Sequence, residues 1–166
     1  MICLLELAGQ IHTNSNINHR FISSFLKSFF WLTWRIFIMF QQITKGIRIS
    51  VVTEYNGDFL NDGLINYAFT YTVKIENQSN DVVQLINRNW KILQTNRRPY
   101  FVEGDGVVGQ KPILKSGVSH TYSSNCLLTS PIGSMSGFYT MINFSTAKEF
   151  EVEIPVFDLA ATFTLN

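Results

Sequence analysis

Ile65-Asn66-Tyr67-Ala68-Phe69-Thr70-Tyr71-Thr72-Val73-Lys74-Ile75-Glu76 places a large apolar or aromatic side chain at every odd position. Every even position is small or polar. A helix would scatter the odd set around its axis, whereas a strand puts it on one face, so this segment reads as a strand with one side in a core. The same period of two runs through Ile47, Ile49 and Val51. It returns near the C-terminus, where Phe150, Val152, Ile154 and Val156 alternate with Glu149, Glu151 and Glu153.

Between these lies a less regular strand, 82–94. Val83 and Leu85 set one parity and Trp90 and Ile92 the other, which requires a bulge, expected at Asn87-Arg88-Asn89. Further strands are expected over 99–103, 118–127 and 135–144. Turn chemistry separates them: Asn61-Asp62-Gly63, the polar run 77–81, Ser116-Gly117 and Ser130-Pro131-Ile132-Gly133. About seven short antiparallel strands with no long helical period predict an all-β sandwich of the immunoglobulin or fibronectin type III kind.

The chain has 166 residues, enough for one compact domain with its own core. Its 13 basic and 12 acidic residues leave no basic excess for a nucleic-acid partner. Cys3 and Cys126 stand far apart, and His12, His19 and His120 are scattered. Neither a zinc centre nor a disulfide framework is indicated, and a reducing, cytoplasmic setting is expected.

The stretch 21–40, FISSFLKSFFWLTWRIFIMF, is about as long as a membrane span requires, roughly 20 residues. Lys27 and Arg35 inside it would each cost about 2.5–3.5 kcal/mol at the bilayer centre. Membrane contact is therefore expected only if this stretch is native. The reading preferred here takes 1–38 as an N-terminal extension outside the native fold, with the domain at 39–166.

Gly104-Asp105-Gly106-Val107-Val108-Gly109 fits GxGxxG, a dinucleotide-binding pattern that works only where a strand feeds it and a helix starts at it. Gln110-Lys111-Pro112 and the nearby Ser116-Gly117 deny such a helix, so a loop is expected, with a residual anion nest helped by Lys111 and Lys115 left open. The glutamate row reads as a solvated outer face rather than a cation cage. Arg88 beside Trp90 is either a cation placed for stacking or pairing, or a structural lock on the bulge. No nucleophile–base arrangement stands out, and neither an enzyme nor a cofactor is expected.

Several spaced blocks then carry a resemblance. They are Val83-Gln84-Leu85-Ile86-Asn87-Arg88-Asn89-Trp90-Lys91-Ile92, the run from Gly104 through Pro112 to Leu114, Tyr122-Ser123-Ser124-Asn125-Cys126, the series Pro131, Gly133, Met135, Gly137, Tyr139 and Met141, and Val152-Glu153-Ile154-Pro155-Val156-Phe157. Over about Ile43 to Leu159 the chain resembles the ApaG family, the DUF525 domain. The resemblance implies a fibronectin type III-like sandwich and a link to cobalt and magnesium efflux or tolerance, without an established mechanism. Related eukaryotic domains look like protein-interaction modules. Asn89 departs from the family, which generally has histidine there.

The expectation is a non-enzymatic module acting indirectly on Co2+/Mg2+ homeostasis through a protein partner or a small anionic ligand. Its contact site is expected at Gly104, Asp105, Gly106, Gly109 and Lys111, with Arg88 and Trp90 beside them. The alternatives are an enzyme acting on a phosphorylated compound, with Lys111 and Lys115 on phosphate and Asp105 on Mg2+, and a protein that binds Co2+ or Mg2+ directly.

Overall fold

The computed structural model describes residues 39–162. The expectations placed on the extension 1–38, and on all of the apolar stretch but Met39 and Phe40, lie outside them.

The described residues form nine strands: β1 (Met39–Thr44), β2 (Ile47–Asn61), β3 (Leu64–Asn77), β4 (Val83–Gln94), β5 (Tyr100–Asp105), β6 (Ile113–Leu114), β7 (Ser119–Leu128), β8 (Ile132–Asn143) and β9 (Lys148–Ala160). They stack as two antiparallel sheets, one in the order β1-β2-β3-β7 and the other β5-β4-β8-β9, with two-residue β6 pairing with β4. This is the expected sandwich, with β1 and β6 added to the strands foreseen. No helix among the described residues is long and apolar enough to cross a membrane.

The alternation in β3 translates directly into packing. Phe69, Tyr71, Val73 and Ile75 are buried against Ile47, Ile49 and Val51 of β2, and the odd parity continues to Asn77, which is fully buried. A buried amide needs all its partners. Asn77 Nδ2 donates to Asp81 O (2.7 Å) and Leu114 O (2.9 Å), and its Oδ1 accepts from Ser79 N (2.9 Å) and Ser79 Oγ (2.7 Å). One side chain thus ties the turn after β3 to β6.

Two bulges decide which side chains face inward. In β4 the register with β8 slips between Leu85 and Asn87, so the extra residue is Ile86, one position before the segment where the bulge was expected. After it, Arg88, Trp90 and Ile92 share the inward parity. In β9 the register with β8 slips opposite Met135/Gly137. Pro155 is buried and the parity inverts, so Val156 is 64% exposed while Phe157 and Leu159 enter the core. The expected inward row therefore ends at Ile154.

One side of the sandwich is closed where β1 meets β9. The Gln42 amide hydrogen-bonds the Glu153 carboxylate, and Glu153 N donates to Thr44 Oγ1 (3.3 Å). At the other side the edge strands β5 and β7 face each other, and the Tyr100 phenol meets the Cys126 thiol.

Candidate functional site

The glycine pattern is the end of β5 followed by a tight reversal. Val107 N donates to Gln110 O (2.8 Å) and Gln110 N to Val107 O (2.9 Å), enclosing Val108 (φ 46°) and Gly109 (φ 74°). Two central residues at positive φ make a turn of the I′ kind, the geometry that matches the twist of paired strands. Gly106, also at positive φ (56°), donates its N–H to Ile86 O (2.8 Å). A Cβ there would sit 2.1 Å from Gln110 O, so no other residue fits without moving backbone. The N–H groups of Gly106, Val107 and Gln110 are thus committed to carbonyls. No helix begins at Gly109; the chain runs through Lys111 and Pro112 into β6.

The outgoing limb is fastened to β4. Leu85 N donates to Pro112 O (3.1 Å) and Gln84 Nε2 to Lys111 O (3.1 Å). Lys111 Nζ lies 3.3 Å from Asp105 Oδ2. The phosphate and Mg2+ candidates of the enzyme alternative thus lie side by side at the surface.

Arg88 stands opposite Gly104 on β5 and Tyr139 on β8. Its Nη1 donates to Asp105 O (3.0 Å) and Gly106 O (2.7 Å). The guanidinium lies against Gly104, where a Cβ would come within 2.8 Å of Nη2 and 2.9 Å of Cζ. Gly104 is needed for that close approach rather than for a special φ. Arg88 thereby holds the loop's inner carbonyls, which is the structural lock, while keeping a half-buried charge with no carboxylate partner among the described residues.

Trp90 is 3% exposed. It shares the inward parity with Arg88 and packs edge-on against Tyr71 (5.4 Å), Phe157 (5.8 Å) and Tyr139 (6.3 Å) between ring centroids. It therefore supports the site from the core and presents no face to a partner. What the loop does present is Val108, 62% exposed at the tip, which the glycine pattern alone did not single out. A β-branched residue at positive φ is a rarity and marks strain.

The Arg88 charge acts on Tyr71 of β3 and Tyr122 of β7 in the opposite sheet, and Ser124, on the same parity of β7 as Tyr122, is paired in register with Tyr71. The Tyr122 and Tyr139 hydroxyls are 2.5 Å apart. Burial pushes both phenols up, Tyr139 well above the usual range, so both stay protonated. Burial likewise pushes the Cys126 thiol up to about 11, which makes it a small core side chain rather than a thiolate nucleophile. His120 stacks on Tyr122. Glu149, Glu151 and Glu153 line the exposed face of β9. No three His, Cys, Asp or Glu side chains converge on one point among the described residues.

Residues 60–143 match the ApaG domain family, DUF525. The chain is 44% identical to a protein ApaG of Vibrio vulnificus over 120 residues, 72% of this chain and 94% of that one. It is 40% identical to a protein ApaG of Beijerinckia indica over 126 residues, 76% of this chain and 96% of the other. A crystal structure of the putative ApaA protein from Bordetella pertussis superposes with a TM-score of 0.65 at 37% identity, covering 70% of this chain and 94% of that one.

Proposed function

This chain belongs to the ApaG family, and we propose from that premise that it is a non-enzymatic cytoplasmic binding module. It acts indirectly on Co2+/Mg2+ homeostasis through a protein partner. Its contact surface is the tip and outer limb of the glycine loop, Gly104 to Lys111, braced from inside by Arg88 and Trp90.

Val108 carries this reading. Holding an L-residue in the left-handed region costs about 1–2 kcal/mol, and the exposed isopropyl group recovers none of that in the fold. Its neighbour Gly109 shows that glycine is accepted in this turn. A strained, exposed apolar knob on a turn rigidly anchored through Gly106 and Arg88 is the feature expected where a partner supplies the missing pocket.

Cells lacking the protein and challenged with cobalt test this when complemented by wild type or by Val108→Gly. The substitution removes the knob and relieves the strain, so the fold remains while tolerance falls toward that of the deletion. Full tolerance with Val108→Gly overturns the loop as the contact surface.

A further inference from the structure

We propose that the root of the same loop is a small phosphate-type oxyanion site, lying between the two sheets at the β5/β7 side and built on Arg88. The inference rests on the binding-module reading and adds a ligand class to it.

The support is a surplus of donors. Among the described residues Arg88 spends only Nη1, on Asp105 O and Gly106 O. Its Nε and Nη2 have no partner among the described residues, and these two N–H groups point the same way as a fork that oxyanions accept bidentately. Across the core, Tyr122 and Tyr139 share one hydrogen bond. In such a pair one hydroxyl proton is used and the other is left without an acceptor. Trp90 Nε1, on the same face of β4, is the single buried side-chain polar atom without a partner among the described residues, and it too is a donor. Ser124 adds a half-buried hydroxyl beside Tyr71.

Buried donors with no acceptor are costly, and a cation without a counter-charge compounds that. Among the described residues no carboxylate pairs with Arg88, so none of them competes with an incoming anion. The donors come from both sheets, Arg88 and Tyr139 from one and Tyr122 and Ser124 from the other. Convergence from two sides suits a tetrahedral oxyanion better than a flat carboxylate. Gly104, with no side chain, lets the guanidinium lie flat against β5 at the sheet edge. The site differs from a nucleotide loop, because the N–H groups of Gly106, Val107 and Gln110 are already occupied.

The test is a titration of the 15N-labelled protein with inorganic phosphate at constant ionic strength, following the Arg88 Nε–H and Trp90 Nε1–H resonances. The expected result is a saturable shift of Arg88, weaker by at least about tenfold with acetate and lost in Arg88→Gln. Ser124→Ala, which keeps Arg88 and its loop bonds, weakens phosphate binding by about three- to tenfold, the loss of one hydrogen bond. It keeps the proposal testable if Arg88→Gln fails to fold. No saturable shift, an equal response in Arg88→Gln, acetate binding as tightly as phosphate, or an unchanged affinity in Ser124→Ala overturns it. Phosphate is titrated with no partner present, so failure here is read separately from failure of Val108 as a partner contact.

Discussion

The hydroxyl of Tyr122 on one sheet and that of Tyr139 on the other meet at 2.5 Å in the middle of the sandwich. They form a polar link between the two layers inside a core that is otherwise largely apolar, whereas the Gln42–Glu153 and Asn77–Leu114 links lie at its margins. The Arg88 charge acts on both phenols, so their link and the residue that braces the glycine loop share one part of the interior.

That relationship makes the pair's energetics specific. Tyr139→Phe leaves the Tyr122 hydroxyl buried with nothing to bond and is expected to cost about 1–3 kcal/mol. Removing both hydroxyls removes the problem, so the double variant Tyr122→Phe/Tyr139→Phe is expected to be less destabilised than the sum of the singles. A double-mutant cycle by urea denaturation measures this, and strict additivity would deny the coupling.

Asn77 is fully buried and satisfied on both ends of its amide. Asn77→Leu strands Ser79 N and the Leu114 and Asp81 carbonyls, and is expected to cost about 3 kcal/mol or more in chemical denaturation. Loss of the Leu114 contact also loosens β6, so amide exchange is expected to rise at Ile113, Leu114 and Lys115.

Two glycines of the same loop separate conformational strain from steric conflict. Both have positive φ, yet an added Cβ meets nothing within 4 Å at Gly109 and lies 2.1 Å from Gln110 O at Gly106. Gly109→Ala is expected to cost about 1 kcal/mol and Gly106→Ala about 3 kcal/mol or more. Equal destabilisation in thermal or urea melts would contradict the close approach.

Glu76 predicts the acid side of the stability curve. Hydrogen bonds from Arg48, Gln78 and Lys74 hold its carboxyl at about 2, against an ordinary 4.5. The folded value is the lower one, so the stabilisation is present above pH 4.5 and drains away as pH falls toward 2. Glu76→Gln is expected to flatten that decline; an unaltered acid limb would show that the ion pairs contribute nothing.

Much of the fold was legible because burial imposes a period of two. Ile65 to Glu76 announced its inward face residue by residue, and the parity change in β4 announced a bulge. Its placement was off by one residue, and that residue matters: with the bulge at Ile86, Arg88 joins Trp90 on the inside. The inward parity of Trp90 with Ile92 is legible in the sequence, and its burial removes it from the surface of the contact site. Pro155 hid the inversion in β9, because a proline in a strand can end it or bend it and only the partner strand decides. The glycine pattern was legible as a connector through Pro112. The positive φ of Val108 was not, since no local preference of valine signals it. The surplus of donors around Arg88 depends on which side chains meet across two sheets, which one strand's pattern does not encode.

The central claim is that the glycine loop works as a contact surface through its tip. Its most direct measurement is quantitative affinity capture from native cells with wild type, Val108→Gly and the distant exposed control Leu60→Asn, each checked by urea melt. Val108→Gly is expected to be as stable as wild type or up to about 1 kcal/mol more stable, relief of strain being partly offset by glycine's entropy. It should lose the captured partner that wild type and Leu60→Asn retain. Undiminished capture by a folded Val108→Gly would contradict the account.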